Sequence, residues 1–170
     1  MAAVWRLVRN DSVRSLLVYQ VCIGVGFSMH HSTFSMVAAD NFNMTAANLG
    51  VLQSAGGVLA VLANTLLVGA ITRRFAESTT LCAVACVIAA CFLYYSSFVH
   101  SFHDVLYVYV PLVLASTVMY TVATSAFSKA GSDEPGTAIG IAHASRSFCG
   151  LIGPTMGGYL YRFGELRALG

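Results

Sequence analysis

Charged residues stand far apart in this chain, and long apolar stretches fill the intervals. Nothing is charged between Arg14 and Asp40, between Asp40 and Arg73, between Glu77 and Asp104, or between Asp104 and Lys129. A fifth apolar stretch, from Thr137 to Tyr161, contains a single charge, Arg146. Each interval holds the roughly 20 residues that cross a bilayer as a helix. The pattern predicts spans at 15–38, 47–71, 79–99, 105–127 and 137–161, with a cytoplasmic segment at 1–14 and a tail at 162–170. The stretches do not alternate polar with apolar, which argues against a membrane barrel. Open strands would leave backbone groups unpaired in hydrocarbon, so the spans must be helices. The expected fold is an all-α membrane protein with five transmembrane helices. Pro154, inside the fifth, predicts a kink there. The first span is too long for the apolar core of a signal peptide and is followed by four more.

Composition agrees. The 170 residues are 57% hydrophobic and 9% charged, where a soluble domain has about 25% charged residues. A net charge of +2 without a basic patch excludes nucleic acid as a partner and leaves the lipid bilayer as the expected one. The five cysteines form no CxxC pair and fall in apolar stretches, so they read as buried thiols. Cys82 and Cys86 are one turn apart but lack a nearby His or acid, and no metal is expected. The connections are short: Asp40–Ala46, Thr72–Ser78, His100–Asp104 and Ser128–Gly136, the last with the polar turn Asp133-Glu134-Pro135-Gly136. They leave no room for a catalytic domain. With no P-loop, nucleophile elbow or HExxH helix, neither an enzyme nor a cofactor is expected.

The polar residues inside the spans are the candidate functional groups. Arg146 is foremost, because an arginine at mid-membrane costs about 2.5–3.5 kcal/mol on insertion scales. It either lines a water-filled pathway or binds backbone carbonyls at a helix contact, and both readings stand. His143 lies one turn before it, as a hydrogen-bonding group or a proton carrier. Gln53 and Asn64 are three turns apart and share a face with Gly57 and Ala60, which suits either tight packing or a cavity wall. Ser28, His31 and Ser35 share a face of the first span, with His30 and Ser32 beside it. The fourth span carries Ser116, Thr117, Tyr120, Thr121, Thr124 and Ser125, whose hydroxyls can also bond back to their own helix. No span contains Asp or Glu. A carboxylate for proton coupling would have to lie outside this chain.

The five spans, the basic connection between the second and third, and the Gly-rich fifth helix together resemble the C-terminal half of the major facilitator superfamily. Gly136-Thr137-Ala138-Ile139-Gly140 followed by Gly153-Pro154-Thr155-Met156-Gly157-Gly158 is similar to the eleventh helix of its drug-efflux-like members. More narrowly, Phe34-Ser35-Met36, Asp40-Asn41-Phe42, Leu52-Gln53-Ser54 and Phe75-Ala76-Glu77 resemble solute carrier family 22. The resemblance implies that these spans are helices seven to eleven of a partial bundle. A six-helix N-terminal half and a twelfth helix would then lie outside the chain, or a partner subunit would supply the missing half. It also implies a cytoplasmic loop signature, of which Gly69, Arg73 and Arg74 are present and the acidic residue is not. The implied function is transport of a small organic solute, as proton-linked efflux of organic cations or drugs.

In such a carrier the substrate pathway lies between two halves at mid-membrane. Its wall here would include Arg146, His143, Asn64, Gln53 and His31. The competing expectation is a truncated carrier that acts as a non-transporting scaffold or subunit through its Gly-rich faces. Either way the chain is expected to be an integral multi-pass protein of the plasma membrane or an endomembrane.

Orientation follows from the basic residues. With the N-terminus inside, Arg6, Arg9, Arg14, Arg73, Arg74 and Lys129 are cytoplasmic, against Arg162 and Arg167 outside. A glycosylation tag inserted near residue 102 should therefore be modified in cells. Modification only of a tag near residue 75 would mean the inverse topology.

Overall fold

Every element of the chain is helical in this computed structural model, which describes residues 9–42, 44–98 and 102–168. The N-terminal residues 1–8, part of the predicted connection 100–104 and the end of the tail lie outside them. The elements are α1 (Asp11–Phe42), α2 (Ala46–Leu62), a π-helical segment (Ala63–Val68), α3 (Gly69–Arg74), α4 (Glu77–Phe98), α5 (Phe102–Ala130) and α6 (Pro135–Ala168). The α2, π and α3 segments follow one another without a break.

Local chemistry sets the ends. The Thr45 hydroxyl caps α2 by accepting from the Asn48 amide at 3.3 Å. Arg73 and Arg74 occupy the last turn of α3, where cations suit the negative end of the helix dipole. The helix stops at Phe75, whose backbone is extended (φ −124°, ψ 146°). The expected connection at 72–78 is thus shortened to Phe75 and Ala76, and Gly69, Arg73 and Arg74 are helical rather than loop residues. Glu77 stands in the first turn of α4, a favourable place for an anion. Pro135 opens α6, two residues before the expected start, since a first-turn proline has no amide to leave unpaired. The Glu134 amide donates to the Gly131 carbonyl at 2.9 Å to close the preceding turn.

Asp11–Ala38, Ala46–Arg74, Glu77–Tyr95 and Asp104–Ala130 are each long and apolar enough to cross a membrane. The 34-residue α6 is long enough but less apolar, because glycines, hydroxyls, His143 and Arg146 interrupt it. Large apolar side chains point outward on α2 and the π segment: Val51, Val58, Val61, Leu62 and Leu66 are 51–71% exposed. On α6 the same holds for Leu151, Tyr159 and Leu160. An apolar exterior of this kind belongs in hydrocarbon.

The chain divides into two compact units, Met1–Asn43 with Phe127–Gly170, and Met44–Ala126. In the first, α1 and α6 lie side by side. The buried Gln20 amide donates to the Ala142 carbonyl at 2.8 Å. A Cβ added to Gly24 would lie 3.1 Å from Cys149 Sγ. One added to Gly153 would lie 2.9 Å from the backbone carbon of Ser28, and one added to Gly157 would lie 3.2 Å from the Met29 carbonyl oxygen. Contacts therefore advance together along both helices, from Gln20 with Ala142 to Met29 with Gly157, so α1 and α6 run parallel. A chain that reverses at each short connection has its first and fifth crossings in the same direction. The parallel sense of α1 and α6 is the one expected of a first and a fifth crossing. Val13, Phe127 and Ala142 form a buried cluster where these helices begin, with Leu16, Leu17 and Ala130 against it.

In the second unit α5 supplies most of the core, including Val105, Val108, Leu112, Val118 and Val122. Tyr109 lies over Gly56, where an added Cβ would come within 3.1 Å of the ring. Backbone proximity in both units depends on glycine at a few positions only. Gly153→Ala should lower the thermal midpoint of the detergent-solubilised chain, at a cost of about 1–3 kcal/mol for overpacking. Gly150→Ala, where nothing lies within 4 Å of an added Cβ, should leave it unchanged or raise it slightly.

Candidate functional site

The expected pathway residues divide between the units. Arg146, His143 and His31 belong to the first, and Gln53 and Asn64 to the second.

Arg146 stands about a third of the way along α6. Its side chain is half-buried and its Nε wholly so. His143, one turn earlier, is exposed. The helix carries both on adjoining turns, as their spacing requires. Beneath them is a polar node that the sequence reading passed over. The Ala142 carbonyl accepts from Gln20 Nε2 at 2.8 Å and from the Ser145 hydroxyl at 2.8 Å. In a regular helix the same carbonyl also accepts from the amide of residue 146. Gln20 thus ties α1 to the turn that carries His143 and Arg146. The signal was present: Gln20 is the single amide in the first predicted span. Cys149, buried one turn on, directs its thiol at the Val21 carbonyl, 3.8 Å away. This extends the contact along the same face.

The polar face predicted on the first span separates in the structure. Ser28 packs against Gly153. The Ser32 and Thr33 hydroxyls both donate to the Met29 carbonyl at 2.9 Å. His30 is half-buried and lies over Phe34, with ring centroids 5.7 Å apart. His31 is exposed. By the register of the two helices it stands level with Met156, about 15 Å along the axis from Arg146 at 1.5 Å per residue. The structure does not bring His31 to the arginine. The Gly153-Pro154-Gly157-Gly158 motif also divides. Gly153 and Gly157 receive α1, while Pro154 and Gly158 border a surface notch with Thr155 and Tyr159.

In the second unit Gln53 and Asn64 are both exposed. Gly57, between them on the same face, has nothing within 4 Å of an added Cβ, whereas Gly56 takes up the contact with Tyr109. Tight packing within this unit therefore uses the neighbouring face and leaves the amide face open. Asn64 lies in the π segment, a wider turn often found where a helix serves a function. The Thr121 hydroxyl donates to Asn64 Oδ1 at 2.7 Å. With its oxygen so held, Asn64 keeps its two N–H donors for another group. Three other α5 hydroxyls bond back to their own helix: Ser116 and Thr117 donate to the Val113 carbonyl, and Thr124 to that of Tyr120. Ser125 instead donates to Glu77 Oε1 at 3.0 Å. Among the described residues, no three His, Cys, Asp or Glu side chains come together as a metal site would require.

Residues 1–154 match the sequence model of the Major Facilitator Superfamily. The chain is similar to Solute carrier family 22 member 18 of Rattus norvegicus, with 29% identity across 100% of this chain and 41% of the relative. It is also similar to Solute carrier family 67 member A1 of Homo sapiens, with 28% identity across 95% of this chain and 38% of the relative. Multidrug resistance protein 1 of Bacillus subtilis (strain 168) is 24% identical across 80% of this chain and 35% of its own length. The chain thus spans about two fifths of the length of the curated relatives it matches.

Proposed function

Because the chain belongs to the major facilitator superfamily, we propose that it forms one wall of the solute pathway of a secondary transporter. The observation that carries this reading is Arg146, a half-buried charged side chain inside α6, the helix that packs against α1. An intramembrane charge is costly unless it meets water, a partner or a substrate. The exposed His143 one turn away gives its surroundings a polar opening. On the second unit the open face of Gln53, Gly57 and Asn64 supplies amide groups of the kind that orient a polar solute. His31, distant from Arg146 along α1, is a weaker member of the set.

Such a wall faces a second half across the pathway, and transport requires both. Two relatives carry the name solute carrier and a third the name multidrug resistance protein. These names favour small organic solutes, drugs among them, and efflux of organic cations is the narrower case that the family resemblance implies. Proton coupling would draw on a carboxylate outside the five helices, since these contain none at membrane depth. The N-terminus is cytoplasmic in this reading.

Arg146→Ala and Arg146→Lys in the full-length transporter test the proposal. The expected result is a loss of solute flux per molecule of at least about tenfold with Ala, the scale of one lost hydrogen bond to a charged group, at normal membrane abundance. Arg146→Lys, which keeps the charge, should retain more flux. Lost abundance with unchanged flux per molecule would make Arg146 a structural group and favour the non-transporting scaffold.

A further inference from the structure

A crevice of about 240 Å³ opens where α3 ends and α4 begins, lined by Ile71, Phe75, Thr79, Thr80, Ala83 and Val84. Its accessible lining is wholly apolar. The Thr80 hydroxyl is spent on its own helix, donating to the Ala76 carbonyl at 3.0 Å. Phe75, 58% exposed, forms its lip. Arg73 and Arg74 stand in the chain between two of the lining residues, and both are exposed. Among the described residues neither makes an ion pair. The acid of this connection, Glu77, accepts the Ser125 hydroxyl and is half-buried. An apolar slot flanked in the chain by two exposed arginines without an ion pair, where α3 ends and α4 begins, has the polarity of a single kind of ligand. Hydrocarbon suits the slot and a phosphate diester suits the arginines.

We propose that this crevice, with Arg73 and Arg74, is a binding site for one anionic phospholipid, its acyl chain against Phe75 and Val84 and its phosphate on the arginine pair. The site depends on the chain lying in a bilayer and is independent of the solute pathway. A lipid seated here would bridge the ends of α3 and α4 across their two-residue connection, and so couple the basic turn to membrane composition. Basic residues at the membrane surface favour anionic lipid by an amount that converts to roughly fivefold for each arginine, or about thirtyfold for the pair.

The test is native mass spectrometry of the full chain released from micelles containing equal phosphatidylglycerol and phosphatidylcholine of matched acyl chains. One phosphatidylglycerol should be retained in preference, by about thirtyfold. Arg73→Gln with Arg74→Gln should abolish the preference. Phe75→Ala, at an exposed position that does not endanger folding, should lower retention several-fold. Glycerophosphoglycerol, which has the headgroup without acyl chains, should fail to displace the lipid at equal concentration. Equal retention of both lipids, a preference that survives the double arginine variant, full retention by Phe75→Ala, or displacement by the soluble headgroup would each overturn the proposal.

Discussion

The contact between α1 and α6 is the constraint on which the first unit depends. In hydrocarbon two helices gain little by hiding apolar side chains from each other, because lipid is equally apolar. What remains is close approach of the backbones and the occasional interhelical hydrogen bond. The structure supplies both. Gly24, Gly153 and Gly157 let the helices meet over about two turns, and Gln20 adds one hydrogen bond where the contact begins. Such bonds average about 0.6 kcal/mol in a membrane protein, so the glycines do most of the holding. Larger residues at these positions would separate the helices and remove the support from the turn that carries Arg146.

Function in this reading depends on how that support is distributed. Arg146 and His143 stand on the turn of α6 that follows the Gln20–Ala142 hydrogen bond. The second unit holds Asn64 by a different means, a hydroxyl donated from α5 to a side chain on a π turn. In the first case the backbone of the turn, and in the second the polar side chain itself, is bonded by a helix other than its own. A preorganised polar wall needs this, because a mobile arginine or amide would find partners on its own helix or reach toward the headgroups.

Much of the fold could be read from the spacing of charges. Five helical spans, their order and the polar turn before α6 follow from where Arg, Lys, Asp and Glu fall. Element ends were less legible, since capping and the helix dipole act over one or two residues: Arg73 and Arg74 read as loop, yet they finish α3. The candidate site was legible only in part. The pairing of His143 with Arg146 needed nothing beyond helical spacing. Gln20 was passed over because a single amide in an apolar run carries no periodicity, and its role emerges only when α6 lies beside it. His31 was grouped with Ser28 by periodicity, but the glycines of α6 claim Ser28 and leave His31 elsewhere. The π turn at Ala63–Val68 has no sequence signature, because its residues are ordinary helix formers.

The central claim is that α1 and α6 cross the membrane in the same direction and touch through Gly24 and Cys149. A Cβ at position 24 would lie 3.4 Å from Cys149 Cβ, close to the roughly 3.5–4.5 Å span of a disulfide. The direct measurement is oxidative cross-linking in membranes of Gly24→Cys with native Cys149 and the other four cysteines replaced by alanine. The account predicts rapid disulfide formation there and none for Gly26→Cys, whose surroundings are open. A Gly24→Cys thiol that stays free for labelling, or a cross-link at position 26 in its place, would contradict it.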